Sequence, residues 1–114
     1  MDGMKIVCDG SSWKAELYDP LYLSLQEQIG GYWEIVRPRN LPKPYCMVVD
    51  EEGVLKGLPV NFVGSYLYGS YMHGVPILGN IIILREVDTP EGCDFAGLSG
   101  RDFEILSQII APAY

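Results

Sequence analysis

Apolar residues change their spacing several times along this chain, and each change marks an element. Leu21, Leu25 and Ile29 recur every four residues, so in a helix they line one side, while Gln26, Glu27 and Gln28 fall mainly on the other. Asp19 is placed to cap that helix, and Pro20 suits its first position, where a missing N–H costs nothing. Tyr18 and Leu23 are spaced as a hydrophobic staple. Gly30 suits the left-handed residue that ends a helix. Gly31 lets the chain reverse into Tyr32 to Val36, whose aromatic and β-branched residues favour a strand.

The same reading extends in both directions. Met4 to Cys8 is a short apolar run, and Asp9-Gly10-Ser11-Ser12 turns it into a stretch where Trp13, Ala15 and Leu17 alternate with Lys14 and Glu16, so a hairpin with one wet face is expected. Met1-Asp2-Gly3 adds nothing to the pattern. Arg37 to Pro44, RPRNLPKP, has three prolines and reads as a loop. Tyr45 to Val49 is a strand, with Asp50-Glu51-Glu52-Gly53 expected to turn it into a returning strand through Val54-Leu55-Lys56. Asn61 is placed to cap one or two helical turns with Phe62/Tyr66 and Val63/Leu67 pairs, although Gly64 weakens them. Ile81 to Leu84 lacks alternation, which predicts a strand covered on both faces. Asp88 to Gly97 reads as a turn-rich connection. Ser99 then caps a last helix with Asp102 in capping-box position, Leu98 and Phe103 as its staple, and Phe103, Leu106 and Ile110 as its core stripe.

The pattern therefore predicts one α+β domain over residues 1–114. A mostly antiparallel sheet of about five strands is packed by an early helix, about residues 20–29, and a C-terminal helix, about residues 100–110. Ile105 and Ile109 widen the last helix's stripe, which burial or a homodimer contact would explain equally.

Charge narrows the partners. Fifteen acidic against eight basic residues give net −7, which opposes binding to nucleic-acid phosphates and suits a basic protein surface better. Cys8, Cys46 and Cys93 are odd in number and far apart, without a CxxC pair and with a single histidine, so neither a disulfide framework nor a zinc site is expected. The N-terminus lacks a signal pattern and the apolar runs are too short to cross a bilayer, which predicts a cytoplasmic protein without membrane contact.

Candidate chemistry is sparse. The acids at positions 50–52 are adjacent, whereas a hard-cation loop spaces its ligands at alternate positions, so no metal is assigned. His73 is the one histidine through which a Cys–His pair would have to run, and no catalytic residue or cofactor follows from the sequence. The most unusual composition is GSYLYGSYMHG, Gly64 to Gly74, a five-residue near-repeat. Tyrosine, glycine and serine together are the chemistry of adaptable binding loops, and a mobile loop, or a short helix followed by a strand, whose tyrosines lie over the core is the alternative.

Three segments carry a family resemblance. They are Leu25-Gln26 through Gly30-Gly31-Tyr32-Trp33-Glu34-Ile35-Val36, then Asp50-Glu51-Glu52-Gly53 through Gly57-Leu58-Pro59-Val60-Asn61, and then Gly74 through the Ile81-Ile82-Ile83 strand. They resemble the LQ…GGYIE, NEEG…GLPxN and glycine-then-apolar-strand patterns of the family known as domain of unknown function 3846. Asp50 stands where the family usually has Asn, and the tyrosine-glycine repeat is particular to this chain. The resemblance implies a bacterial, phage or plasmid setting and carries over no catalytic residue.

Three functional classes remain open at this stage. The first is a non-enzymatic interaction protein that binds a host protein, as counter-defence factors do, with Tyr66, Tyr68, Tyr71 and His73 at the contact. The second is a binder of an aromatic or nucleotide-like small molecule, stacked on those tyrosines and on Trp33. The third is an enzyme, which requires His73 near Cys8, Cys46, Cys93 or a carboxylate in a cleft.

Overall fold

The computed structural model describes residues 1–113, with the side chains of Tyr71 and His73 outside the described set. Its strands are β1 (Asp2–Ile6), β2 (Ser12–Glu16), β3 (Trp33–Val36), β4 (Tyr45–Asp50), β5 (Ile81–Thr89) and β6 (Gly92–Ala96). The helices are α1 (Leu21–Ile29), α2 (Gly53–Lys56), α3 (Phe62–Tyr68), α4 (Ser70–His73) and α5 (Gly100–Ile110), followed by a 3-10 turn at Ala111–Ala113. The architecture is α+β with one antiparallel sheet in the order β2-β1-β5-β4-β3, and β6 also pairs with β5.

Strand β5 explains its own sequence. Ile81 and Ile83 enter one core with Met4, Ile6, Met47, Val63, Leu67, Leu106 and Ile110. Ile82 and Leu84 enter a second with Leu25, Ile29, Cys46 and Val48. Both faces of its first half are covered, so four consecutive apolar residues are all buried and no alternation survives. Helices α3 and α5 close the first face and α1 closes the second. In β1, Gly3 faces the second core, where a Cβ would come within 2.8 Å of Ile82 Cγ2, so only glycine lets the two strands lie this close.

Four expectations are corrected. Asp19 does not cap α1: Pro20 holds the cap position, no side chain caps it, and Ser24 Oγ, buried in the first turn, accepts instead from Tyr18 N–H at 3.1 Å. Tyr18 and Leu23 both stay exposed. Val54-Leu55-Lys56 is helical, not a returning strand. Asp50 Oδ1 accepts from Glu52 N–H at 2.8 Å and its Oδ2 meets Lys56 Nζ at 2.7 Å, which closes the chain into one turn that Gly57 ends at φ 64°. Asp88 to Gly97 is not a connection but the end of β5, a turn at Pro90-Glu91, and β6, which brings the strand count to six. Its Asp, Pro and Gly residues resemble loop composition because both strands are largely exposed there. Finally, residues 2 and 3 belong to β1, with Asp2 opposite Glu16 and Gly3 opposite Ala15.

The C-terminal helix forms as its caps dictate. Ser99 Oγ accepts from Asp102 N–H at 3.2 Å while Asp102 Oδ2 accepts from Ser99 N–H at 2.8 Å, a complete capping box. Asp102 Oδ1 also accepts from the Tyr45 hydroxyl at 2.7 Å, which ties α5 to the first residue of β4.

Candidate interaction surface

Asn61 positions the tyrosine segment. Its amide is fully buried, Oδ1 accepts from Gly64 N–H at 2.9 Å, and Nδ2 donates to the carbonyls of Ile6 at 3.0 Å and Gly79 at 2.9 Å. One side chain thus starts α3 and joins it to β1 and to the turn before β5. Gly64, expected to weaken the helix, sits where a Cβ would lie 3.1 Å from Ile77 and 3.3 Å from Ile81. The missing side chain lets α3 press on the sheet, and Val63 and Leu67 are buried beneath it.

Gly69 and Gly74, both left-handed, end α3 and α4 in turn, so the near-repeat is two short helices rather than a loop. Tyr66 and Tyr68 are half-buried and pack on the first core. Trp33 stands on the opposite face of the sheet, where its Nε1 donates to Tyr22 O at 3.3 Å and its ring lies 6.1 Å from Tyr22 and 6.2 Å from Phe95. The side chains of Tyr71 and His73 lie outside the described residues; of the remaining candidates, Trp33 does not share a ligand position with Tyr66 and Tyr68.

What sequence reasoning missed is the apolar surface beside them. Val54 is 80% exposed, Leu55 84% and Phe62 71%, and Met72 and Val75 are also exposed. Val54, Val75 and Tyr68 line a groove of about 180 Å³ whose far wall is Glu34 and Val36 of β3 with Glu51. The signal was present in Val54-Leu55, but the expected returning strand gave those residues a buried face.

A larger cleft lies elsewhere. It has a volume of about 430 Å³ beside the Arg37–Pro44 loop and is lined by Lys43, Tyr45, Glu86, Asp88 and Cys93. Arg37 grips Glu86 through two nitrogens, with Nε donating to Oε2 at 2.9 Å. The cleft's one thiol is not activated: Cys93 Sγ donates to Asp88 Oδ1 at 3.5 Å, and that carboxylate pushes its pKa up. Burial raises Cys8, and pushes Cys46 up to about 12. All three thiols are thus held in the less nucleophilic protonated form. Among the described residues, no group of three His, Cys, Asp or Glu side chains is placed to hold a metal ion, and Asp50 is already committed to Lys56 and the Glu52 N–H. No helix among the described residues is long and apolar enough to cross a membrane.

No curated protein and no solved structure matches this chain. The glycines at 30, 31, 57 and 74 and the Asn61 cap, on which the resemblance rested, do structural work in this fold, and the family match spans nearly all of it. Matched over residues 4–110, the chain belongs to the family described as Domain of unknown function (DUF3846).

Proposed function

We propose that the chain is a non-enzymatic interaction protein whose contact surface runs from α2 to the end of α4. The observation that supports this reading is the exposure of Val54 and Val75, which line one groove, with Leu55 and Phe62 also exposed on α2 and α3. Apolar side chains concentrated in this way on a soluble surface mark contact sites more often than isolated ones do. Net charge −7 favours a partner with a basic face, and three reduced cysteines suit a cytoplasmic setting. In a bacterial mobile-element setting the partner is a host protein, with counter-defence as the role.

Leu55→Asp and Phe62→Asp test the reading. Both side chains lie in water, so the fold tolerates each change within about 0.5 kcal/mol. Tagged protein recovered from host cells should lose its specific partner with either variant while keeping its melting temperature. Capture that survives both variants rules this face out.

A further inference from the structure

The sheet ends in β3, and the hydrogen-bonding phase of that strand can be fixed. Glu51 N–H donates to Tyr32 O at 3.0 Å, and the register continues as Glu34 opposite Val49 and Val36 opposite Met47. In an antiparallel ladder, bonded pairs alternate with unbonded ones. Tyr32, Glu34 and Val36 thus face β4, and the N–H and C=O of Trp33 and Ile35 point out of the sheet. Among the described residues nothing bonds to those four groups. The other edge strands are blunted differently: β2 carries Lys14 and Glu16, and β6 begins with glycine and carries Asp94. β3 reads Trp-Glu-Ile-Val, with one charge and three large apolar residues.

We infer that the β3 edge accepts an extended basic segment of a partner protein as an added strand. This rests on the interaction reading above, because the groove shared by Val54, Val75 and Tyr68 has Glu34 and Val36 of β3 as its other wall. An added strand bonds to Trp33 and Ile35 and projects alternate side chains to the two faces of the sheet. On one face they enter the groove beside exposed Glu34 and Glu51, which select Lys or Arg. On the other they meet half-buried Trp33 and Ile35, which select apolar residues. The favoured segment alternates basic and apolar residues. A second copy of this chain is disfavoured as the occupant, because each brings net charge −7.

The test uses the whole protein with the probe Ac-Val-Lys-Val-Lys-Val-Lys-NH2 and its Glu-for-Lys counterpart, followed by amide hydrogen exchange. The Lys peptide should slow exchange at the Trp33 and Ile35 amides and leave Glu34 and Val36, already bonded, unchanged. The Glu peptide should bind about tenfold more weakly, since two cross-strand attractions become repulsions. Ile35→Pro removes an outward N–H and the half-buried Ile35 side chain but no bond to β4, so it should abolish protection of the Trp33 amide by the peptide while β3 stays paired to β4. If that variant does not fold, Glu34→Lys serves instead and should reverse the preference between the peptides. Binding without protection of those two amides overturns the inference, as does equal binding of both peptides. Amides protected in the free protein and released on dilution also overturn it, by assigning the edge to a second copy. Loss of partner capture in Leu55→Asp without peptide protection sinks strand addition and leaves the surface reading standing; protection with capture intact in both Asp variants does the reverse.

Discussion

Replacing Asn61 by Ala removes three hydrogen bonds from a fully buried site. The helix cap to Gly64 N–H contributes about 1 kcal/mol. The Ile6 and Gly79 carbonyls each lose a buried donor, at about 1 kcal/mol apiece by the lower end of the usual range. The expected loss is therefore about 3 kcal/mol, a large part of the marginal stability of a domain of this size. Urea unfolding followed by far-UV circular dichroism should show the midpoint falling by about 2 M with the slope unchanged. A fall under about 0.5 M would mean that Asn61 is not the joint between α3, β1 and the Gly79 turn. Asn61→Asp sharpens the test. Its carboxylate keeps an acceptor for Gly64 N–H but faces two carbonyl oxygens, so its folded pKa must rise above the unfolded value. A raised acid pKa makes the folded state bind the extra proton, so this variant alone gains stability as pH falls from 7 toward 5. An Asp variant indifferent to pH in that window would refute the geometry.

Two further outcomes follow from titrating groups. Burial works against the Asp102 carboxylate, but the Ser99 N–H, the Tyr45 hydroxyl and the Ser99 hydroxyl together hold its pKa below the ordinary value. That stabilisation is complete above the ordinary carboxylate pKa and is lost as pH falls through the depressed one, so Asp102→Asn should flatten the acid limb of the stability curve. Burial and the Asp102 contact push Tyr45 up to about 12, so its contribution holds below about pH 10 and declines as pH rises through the folded value; Tyr45→Phe should flatten that alkaline limb. Urea midpoints across pH measure both. A thiol reagent at pH 8 should modify exposed Cys93 first, slowly for an open thiol because Asp88 holds the proton, and reach buried Cys46 only at the unfolding rate. Equal rates at the two cysteines would contradict the burial.

The elements most legible in the sequence were those whose local chemistry and tertiary packing agree. The Ser99–Asp102 box, the Asn61 cap and the uninterrupted Ile81–Leu84 run each have one physical solution, and the fold adopts it. The misses occur where a tertiary contact decides between local alternatives. Asp50-Glu51-Glu52-Gly53 is compatible with a hairpin, and the Asp50–Lys56 ion pair, six residues apart and buried at its acidic end, tips it into a helical turn. The β5–β6 hairpin was hidden because its strands extend past the core, and exposed strands lose the apolar alternation by which strands are read. At the site, Trp33 and the tyrosines share only a residue type, and the sheet separates Trp33 from Tyr66 and Tyr68 onto opposite faces.

That separation changes where the binding signal lies. Gly64, Gly69 and Gly74 suggested adaptability, yet the first permits a close helix-to-sheet approach and the other two end helices with positive φ. Ser65 is likewise occupied, its Oγ accepting from Ile77 N–H at 2.9 Å. Most of the composition that resembles an antibody loop is thus accounted for by folding two short helices onto a strand, which leaves Tyr66 and Tyr68 partly spent on the core. Among the groups that folding turns outward are the side chains of Val54, Leu55, Phe62 and Val75 and the edge backbone of Trp33 and Ile35. Val54 and Val75 line the groove whose other wall is Glu34 and Val36 of β3, so a partner strand would find main-chain pairing on β3 and side-chain contact on α2 and the segment after α4.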